Sequence, residues 1–160
     1  MKRTLLVGLI LFAQFGHAVA NTASSLIGVW KLLSLENEFQ DGSPRRAMYG
    51  ERPSGYIVFT KEGRMMAVIE GDGRKAPSTD SDRAALLKSM FAYSGIYRVE
   101  GSKWTTTVDV AWNPAWRGTE QVRFFELVGD RLTVTSMWQL APNFAGAPMT
   151  RGILVFQRVK

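Results

Sequence analysis

Cysteine is absent from the 160-residue chain, and histidine occurs once, as His17. Without cysteine the protein has no disulfide, thiolate nucleophile, iron–sulfur cluster or cysteine-ligated zinc. Hydrophobic residues make up 46% of the chain and charged residues 21%, which are ordinary values for a globular protein and argue against wholesale disorder. The length suits one domain, because two separate cores would each be small and marginally stable.

The first twenty residues have the pattern of a secretory signal peptide. Lys2 and Arg3 precede an apolar run at residues 5–12, and Ala18 and Ala20 form a small-residue cleavage site. The run is well short of the ~20 apolar residues that span a bilayer, so no membrane-spanning helix is expected. We therefore predict cleavage after residue 20 and a periplasmic or secreted protein. It would not be a lipoprotein, because no cysteine is available to carry a lipid.

Cleavage at this site also removes His17 and two positive charges. A mature chain without histidine or cysteine has no Ser-His-Asp triad, no Cys-His pair and no histidine-ligated metal centre. The carboxylates do not have the spacing of a calcium loop, so neither a metal nor a cofactor is expected. Any catalysis would depend on Asp, Glu, Lys, Arg, Tyr or bound water.

The rest of the chain has the pattern of short strands separated by turns. Residues 55–60 and 64–70 are rich in strand-forming residues and predict a hairpin, and similar hairpins are predicted around 100–102 and 129–130. One short helix is expected over residues 80–91, where acidic residues precede apolar residues at helical spacing. Seven or eight strands without a repeated βαβ pattern predict an all-β sandwich or barrel.

The stretch Leu26-Ile27-Gly28-Val29-Trp30-Lys31-Leu32-Leu33-Ser34 contains a G-x-W motif. It resembles the start of bacterial lipocalin-like domains, L-[IV]-G-x-W-[RK]-L-x-S, and similar segments continue in order, including residues 53–60, 91–97 and 113–132. The resemblance implies an antiparallel eight-stranded calycin-type barrel over residues 21–160. The resemblance implies no particular activity, because the matching segments contain no catalytic motif.

In barrels of this kind a tryptophan closes one end, and an arginine from the last strand packs over it. The resemblance therefore implies structural roles for Gly28, Trp30 and Arg158. It further implies a cation–π contact between the arginine and the tryptophan.

Two charged side chains are candidates for polar anchors inside a barrel. If Trp30 points inward, period-two alternation also turns Ser34, Glu36 and Glu38 inward. Glu36 would then bind a polar ligand group, act as an acid or base, or form an internal salt bridge, which is the commoner outcome. Arg123 would clamp a ligand carboxylate if its strand face is the inner one. The outer face, or pairing with Glu36, fits the sequence equally well.

Aromatic side chains are the candidates for the apolar part of a ligand site. Tyr56 and Tyr97 provide hydroxyls on predicted strands, although buried tyrosines commonly bond only to their neighbours. Trp112 and Trp116 flank a bend, where aromatics either line a barrel mouth or cap the core. The predicted interior contains Leu32, Tyr56, Tyr97, Phe124 or Phe125, and Trp138.

Basic residues cluster in the two longer loops of the chain. They suit an anionic envelope surface or an acidic ligand, or they form an ordinary solvated face. No nucleic-acid-reading motif is visible, so no nucleic-acid partner is expected. The five residues are Arg45, Arg46, Arg52, Arg74 and Lys75.

These observations leave three functions open. The first is an exported lipocalin-like barrel that binds a small hydrophobic or amphipathic molecule, which eight strands are about wide enough to enclose. The second is a cofactor-free isomerase, cyclase or dehydratase with a Glu/Tyr acid–base pair in the cavity. The third is a packed barrel that acts as a protein-interaction module. The size of the interior cavity and the polar groups that face it distinguish the three.

Overall fold

The computed structural model describes residues 23–141 and 144–160, and the predicted signal peptide lies outside these residues. Within these residues ten antiparallel strands form one continuous sheet, and a short helix lies between the fourth and fifth strands. The elements are β1 (Gly28–Phe39), β2 (Arg46–Ala47), β3 (Ser54–Phe59), β4 (Arg64–Glu70), α1 (Asp80–Lys88), β5 (Met90–Glu100), β6 (Lys103–Ala111), a 3₁₀ turn (Pro114–Trp116), β7 (Glu120–Val128), β8 (Arg131–Ser136), β9 (Gln139–Leu140) and β10 (Met149–Arg158).

The sheet closes on itself because β1 pairs with β3 on one side and with β10 on the other. Eight long strands therefore form a barrel in the order β1-β3-β4-β5-β6-β7-β8-β10. The two-residue strands β2 and β9 extend the sheet beside β1 and β10. This architecture confirms the prediction of an all-β, antiparallel eight-stranded barrel with one short helix.

The helix α1 begins where the sequence predicted but ends earlier. The hydroxyl of Thr79 accepts a hydrogen bond from the Asp82 N–H, and the Asp82 carboxylate accepts one from the Thr79 N–H, which satisfies two free donors at the helix start. Residues 90 and 91, which have helical spacing in the sequence, belong to β5 instead. No residue of α1 is buried, so the helix lies against the barrel without completing its core.

A β-bulge in β1 changes which side chains face the interior. The pairing of β1 with β10 shifts between Leu32 and Ser34. Beyond the bulge, Leu35 and Asn37 are buried, whereas Glu36 lies on the outer face, 3.9 Å from Arg45. The expectation that alternation carries Glu36 inward is therefore wrong, because one extra residue turns every later side chain of the strand to the opposite face.

Glu38 lies on the same outer face, so the sequence expectation that it points inward is also wrong. Its carboxylate accepts hydrogen bonds from the guanidinium groups of Arg45 and Arg151. The hydrogen bond from Arg45, followed by that from Arg151, lowers the pKa of Glu38 below its usual value of 4.5. This carboxylate ties the loop after β1 to the last strand of the barrel.

We expect Glu38→Gln to be less stable than the wild type at pH 7 by about 1 kcal/mol, the upper end for partly exposed ion pairs. Because folding lowers the pKa of Glu38, its stabilisation is complete above pH 4.5 and is lost as the pH falls through the folded-state pKa. Urea unfolding at a series of pH values should therefore show the two proteins converging in acid. Glu62→Gln, which removes an exposed carboxylate beside Lys61, is the control. A difference that stays constant down to strong acid would contradict this account.

One end of the barrel is closed by Trp30, whose side chain is fully buried. Its Nε1 donates to the carbonyl oxygen of Leu26 at 2.8 Å. The guanidinium carbon of Arg158 lies 4.0 Å from the Trp30 ring centroid, and its Nη1 donates to the Ile27 carbonyl at 2.9 Å. Gly28 has φ +134°, and a Cβ there would lie 3.0 Å from Arg158 Nη1. The contact implied between Arg158 and Trp30 is thus present, and the backbone beside it requires glycine.

Candidate functional site

The barrel contains a cavity of about 790 Å³ toward the end away from Trp30. This volume lies within the ~300–1,000 Å³ range of small-molecule sites in proteins. Apolar side chains from five strands line its inner part, so the barrel interior is packed only at the closed end. These side chains are Leu35, Ile57, Ala67, Val134, Leu154 and Phe156.

Aromatic side chains line the outer part of the cavity. Trp112 and Trp116, for which the sequence left a barrel mouth or a cap on the core as alternatives, both line it, with ring centroids 4.9 Å apart in a T-shaped contact. Tyr93 packs edge-on against Trp116 at 5.4 Å, and Phe91 lies 6.4 Å from Trp112. The Trp112 indole N–H donates to the carbonyl of Leu87 in α1 at 3.2 Å, which fixes the ring against the helix.

Tyr49 also lines the cavity, and sequence reasoning missed it. Its backbone is in the left-handed region with φ +65°, and a Cβ on the neighbouring Gly71 would lie 2.8 Å from its carbonyl oxygen. Its hydroxyl donates to the Met90 carbonyl at 3.4 Å, and burial raises the pKa of Tyr49. The signal in the sequence is slight: one aromatic residue within a long segment of turn-forming residues.

Tyr56 and Phe124 lie on the outer surface of the barrel. Tyr56 is 46% exposed, because the inner positions of β3 are taken by Ile57 and Phe59. Phe124 is likewise 42% exposed, whereas its neighbour Phe125 is buried. The prediction of an interior Tyr56 is therefore wrong, and the alternative between the two phenylalanines is decided in favour of Phe125.

Tyr97 and Trp138 are not among the residues that line the cavity. The Tyr97 hydroxyl donates to the Thr60 carbonyl at 3.1 Å, and its ring packs edge-on against Phe59 at 5.1 Å. Trp138 lies beneath the guanidinium of Arg151, 4.6 Å from its ring centroid. Because Arg151 also binds the outward-facing Glu38, Trp138 belongs to the outer face, and its predicted interior position is wrong.

Arg123 lies on the inner face of β7 and lines the cavity, which decides between the two faces that the sequence left open. It is part of a series of cross-strand neighbours that runs around the wall, here called the polar row. Trp104 pairs with Arg123 and Arg123 with Ser136. The Ser136 hydroxyl accepts from the Gly152 N–H at 2.8 Å, and Gly152 pairs with Asn37. All five residues line the cavity.

The polar row contains hydrogen-bond donors without protein partners. The indole N–H of Trp104 is fully buried and has no hydrogen-bond partner among the described residues. Arg123 donates to the carbonyl of Val122 at 2.7 Å and to the amide oxygen of Gln121 at 3.3 Å. No carboxylate of the described chain lies within salt-bridge distance of it.

The described part of the cavity wall carries positive but no negative side chains. Its titratable residues are Tyr49, Lys88, Tyr93 and Arg123, and no aspartate or glutamate lines it. Across residues 23–141 and 144–160, no three acidic, histidine or cysteine side chains are grouped closely enough to hold a metal ion. The same residues include no helix with the length and apolar character needed to span a membrane.

A closed antiparallel barrel with an internal cavity is, in general, a ligand-binding type of fold. The family model of the lipocalin-like domain matches residues 27–159, so the chain belongs to the lipocalin-like domain family, as the sequence resemblance implied. An uncharacterized protein from Bacteroides eggerthii is similar in structure, with a TM-score of 0.43 and 16% sequence identity. That similarity covers 84% of this chain and 99% of the other. No curated protein matches the sequence.

Proposed function

We propose that this protein is an exported lipocalin-like barrel that binds a small hydrophobic or amphipathic molecule in its internal cavity. The observation that carries the proposal is the cavity of about 790 Å³, which has apolar walls, an aromatic mouth and a few polar groups. Small-molecule sites combine these features, because apolar surface supplies affinity and convergent polar groups fix the orientation of the ligand.

The other two functions have less support from the same wall. The enzyme hypothesis relied on a Glu/Tyr acid–base pair in the cavity, and no glutamate or aspartate is among the described lining residues. Glu36 lies outside the barrel, and the Tyr97 hydroxyl is bonded to a backbone carbonyl. A barrel that acts only through its outer surface would have no use for an interior space of this size.

Export is the part of the proposal that rests on the sequence alone. The charged, apolar and small-residue segments at residues 1–20 support secretion to the periplasm or beyond. Contact with an anionic envelope surface has weaker support. Two of the basic loop residues already have acidic partners, since Arg45 pairs with Glu38 and Arg74 lies 3.3 Å from Glu70.

We expect the mature protein to bind Nile red, a neutral apolar fluorophore, in a saturable 1:1 manner with a Kd in the micromolar range. Gly152 lines the cavity, and a Cβ added there would have no neighbour closer than 3.7 Å, so larger side chains at this position extend into the cavity. Gly152→Phe should weaken Nile red binding at least tenfold, while the matched Gly152→Ala should leave it nearly unchanged.

The measurements are fluorescence titrations, with circular dichroism and thermal unfolding to show that each variant is folded. Gly152→Leu replaces Gly152→Phe as the test if the phenylalanine variant does not fold. Two results would count against an internal site: no saturable binding by the wild type, or equal affinity in the wild type and the folded cavity-filled variant.

A further inference from the structure

The guanidinium group of Arg123 has hydrogen-bonding capacity that the protein leaves unused. Arginine carries five N–H donors in one plane, arranged to match two oxygen acceptors. Two of the five donate to Val122 and Gln121, and the other three have no partner among the described residues. Arg123 is therefore already oriented by its own strand, while three of its donors remain unpaired in a side chain that lines the cavity.

No acidic side chain of the described residues lies within salt-bridge distance of Arg123. Glu120, three positions earlier on β7, is held by Arg98 at 2.8 Å, and Glu36 and Glu38 lie outside the barrel. An unpaired charge in a dry interior would be costly. Arg123, however, also lines a side pocket of about 220 Å³. This pocket lies next to residues 120–122 of β7, which come before the first residue pair between β7 and β8. Solvent in this pocket can hydrate the charge until an anion binds.

Trp104 lies next to Arg123 but does not present a donor to the ligand. Its indole N–H has no hydrogen-bond partner among the described residues, yet the side chain has no accessible surface, and its ring packs edge-on against Phe59 at 5.1 Å. Trp104 and Arg123 are direct cross-strand neighbours that line the same cavity, and the Cβ atoms at such positions lie about 5 Å apart. Trp104 therefore forms an apolar part of the wall beside Arg123, and the donors in this region that can meet a ligand are those of Arg123.

The surroundings of these donors favour a small planar anion. Gly152, in the same polar row, contributes no side chain and leaves space beside Ser136 and Asn37. Lys88 adds a further positive charge to the wall, so an amine head group would be repelled. The apolar and aromatic walls provide surface for an uncharged body. A carboxylate, with two coplanar oxygens, fits the bidentate geometry of an arginine.

We infer that the cavity selects amphipathic ligands with a carboxylate head group, bound by the Arg123 guanidinium. The apolar body of the ligand packs against the aromatic mouth formed by residues such as Trp112 and Trp116. This inference rests on the proposed function, because it specifies the class of ligand that the cavity takes.

The test compares dodecanoic acid with dodecanol, which share a chain and differ in the head group. Displacement of Nile red gives the affinity of each compound for the wild type and for Arg123→Met and Trp104→Phe. Hydrogen bonds to charged groups typically contribute tenfold or more in affinity. We therefore expect the wild type to prefer the acid at least tenfold and Arg123→Met to lose this preference. Trp104→Phe, which removes the buried indole N–H at the neighbouring position, should retain the preference for the acid.

Dodecanol binding is the control within each variant, and it should stay nearly constant if the barrel is intact. Arg131→Met, which removes an exposed arginine at the start of β8, is the matched control for charge and should leave both affinities unchanged. Arg123→Lys should recover part of the preference, because it restores the charge without the planar pair of donors.

The outcomes separate this inference from the proposed function. Equal binding of acid and alcohol by the wild type would overturn the carboxylate site while leaving a ligand-binding barrel. A preference for the acid that survives in Arg123→Met would also overturn it, because the head group would then bind elsewhere. Failure of Nile red, acid and alcohol alike to bind would reject the proposed function itself.

Discussion

Replacing Trp30 with alanine should lower the free energy of unfolding by about 3–5 kcal/mol, the usual cost of removing a large buried aromatic side chain. This is a large part of the ~5–15 kcal/mol that stabilises a typical domain. The Trp30 side chain is fully buried, with 0% of its surface accessible to solvent. Its removal leaves a void at the closed end of the barrel.

Two polar contacts are lost together with the indole ring. The Leu26 carbonyl loses the donor that bonds to it at 2.8 Å, and Arg158 loses the ring face that lies 4.0 Å from its guanidinium carbon. Arg158 keeps its hydrogen bond to the Ile27 carbonyl and its pairing with Asp130 at 3.3 Å. The loss of stability should therefore come mainly from the void and the unpaired carbonyl and less from the arginine.

Trp138→Ala is the matched control, because it removes the same side chain from the outer face of the barrel. Trp138 contacts Arg151 through a cation–π interaction, so its loss should cost only about 1 kcal/mol. Equilibrium unfolding in guanidinium chloride gives both free energies. A Trp30→Ala variant no less stable than Trp138→Ala would show that Trp30 does not hold the closed end together. A folded Trp30→Ala protein should still bind Nile red, because Trp30 does not line the cavity.

The sequence predicts the strands and turns well because their signals are local. A turn cluster between two runs of strand-forming residues is sufficient to place a hairpin, as at residues 55–70. The contact between Trp30 and Arg158 is predictable for a different reason. The family motif marks both ends of the domain, and closure of the barrel makes these two residues direct neighbours across β1 and β10.

The inner and outer faces of the strands are less predictable, because they depend on distant partners. In β1, apolar residues at 32, 33 and 35 fit either direction of alternation, and the bulge is fixed by pairing with β10 near the end of the chain. In β3, residues 56–59 are all strand formers, so alternation carries no signal there. The inward position of Arg123 depends on its pairing with Trp104 in β6 and Ser136 in β8. The sequence of β7 alone carries no information about these partners.

Gly95→Ala should be strongly destabilising, by about 3 kcal/mol, although it adds only one methyl group. A Cβ at Gly95 would lie 2.0 Å from the carbonyl oxygen of Thr107 and 2.8 Å from its carbonyl carbon. Both atoms belong to the backbone of β6, so no side-chain rotation can relieve the clash. The bulge between Ser94 and Gly95 brings the two strands this close. Overpacking of this kind costs up to about 3 kcal/mol and sometimes more.

Gly152→Ala provides the matched comparison, because it makes the same substitution in another strand of the same barrel. Its Cβ would have no neighbour closer than 3.7 Å, so the change should be neutral or stabilising by up to about 1 kcal/mol, since alanine reduces the freedom of the unfolded chain. Unfolding in guanidinium chloride gives the free energy of unfolding of both variants. Because the substitution is the same, a difference between them reflects the position in the barrel and not the type of residue. If the variants were equally stable, β5 and β6 could move apart without loss, and the close approach at Gly95 would not be a rigid feature of the barrel. A large difference would mean that the barrel wall holds its backbone spacing at the bulge while leaving side-chain space open at Gly152, beside Ser136.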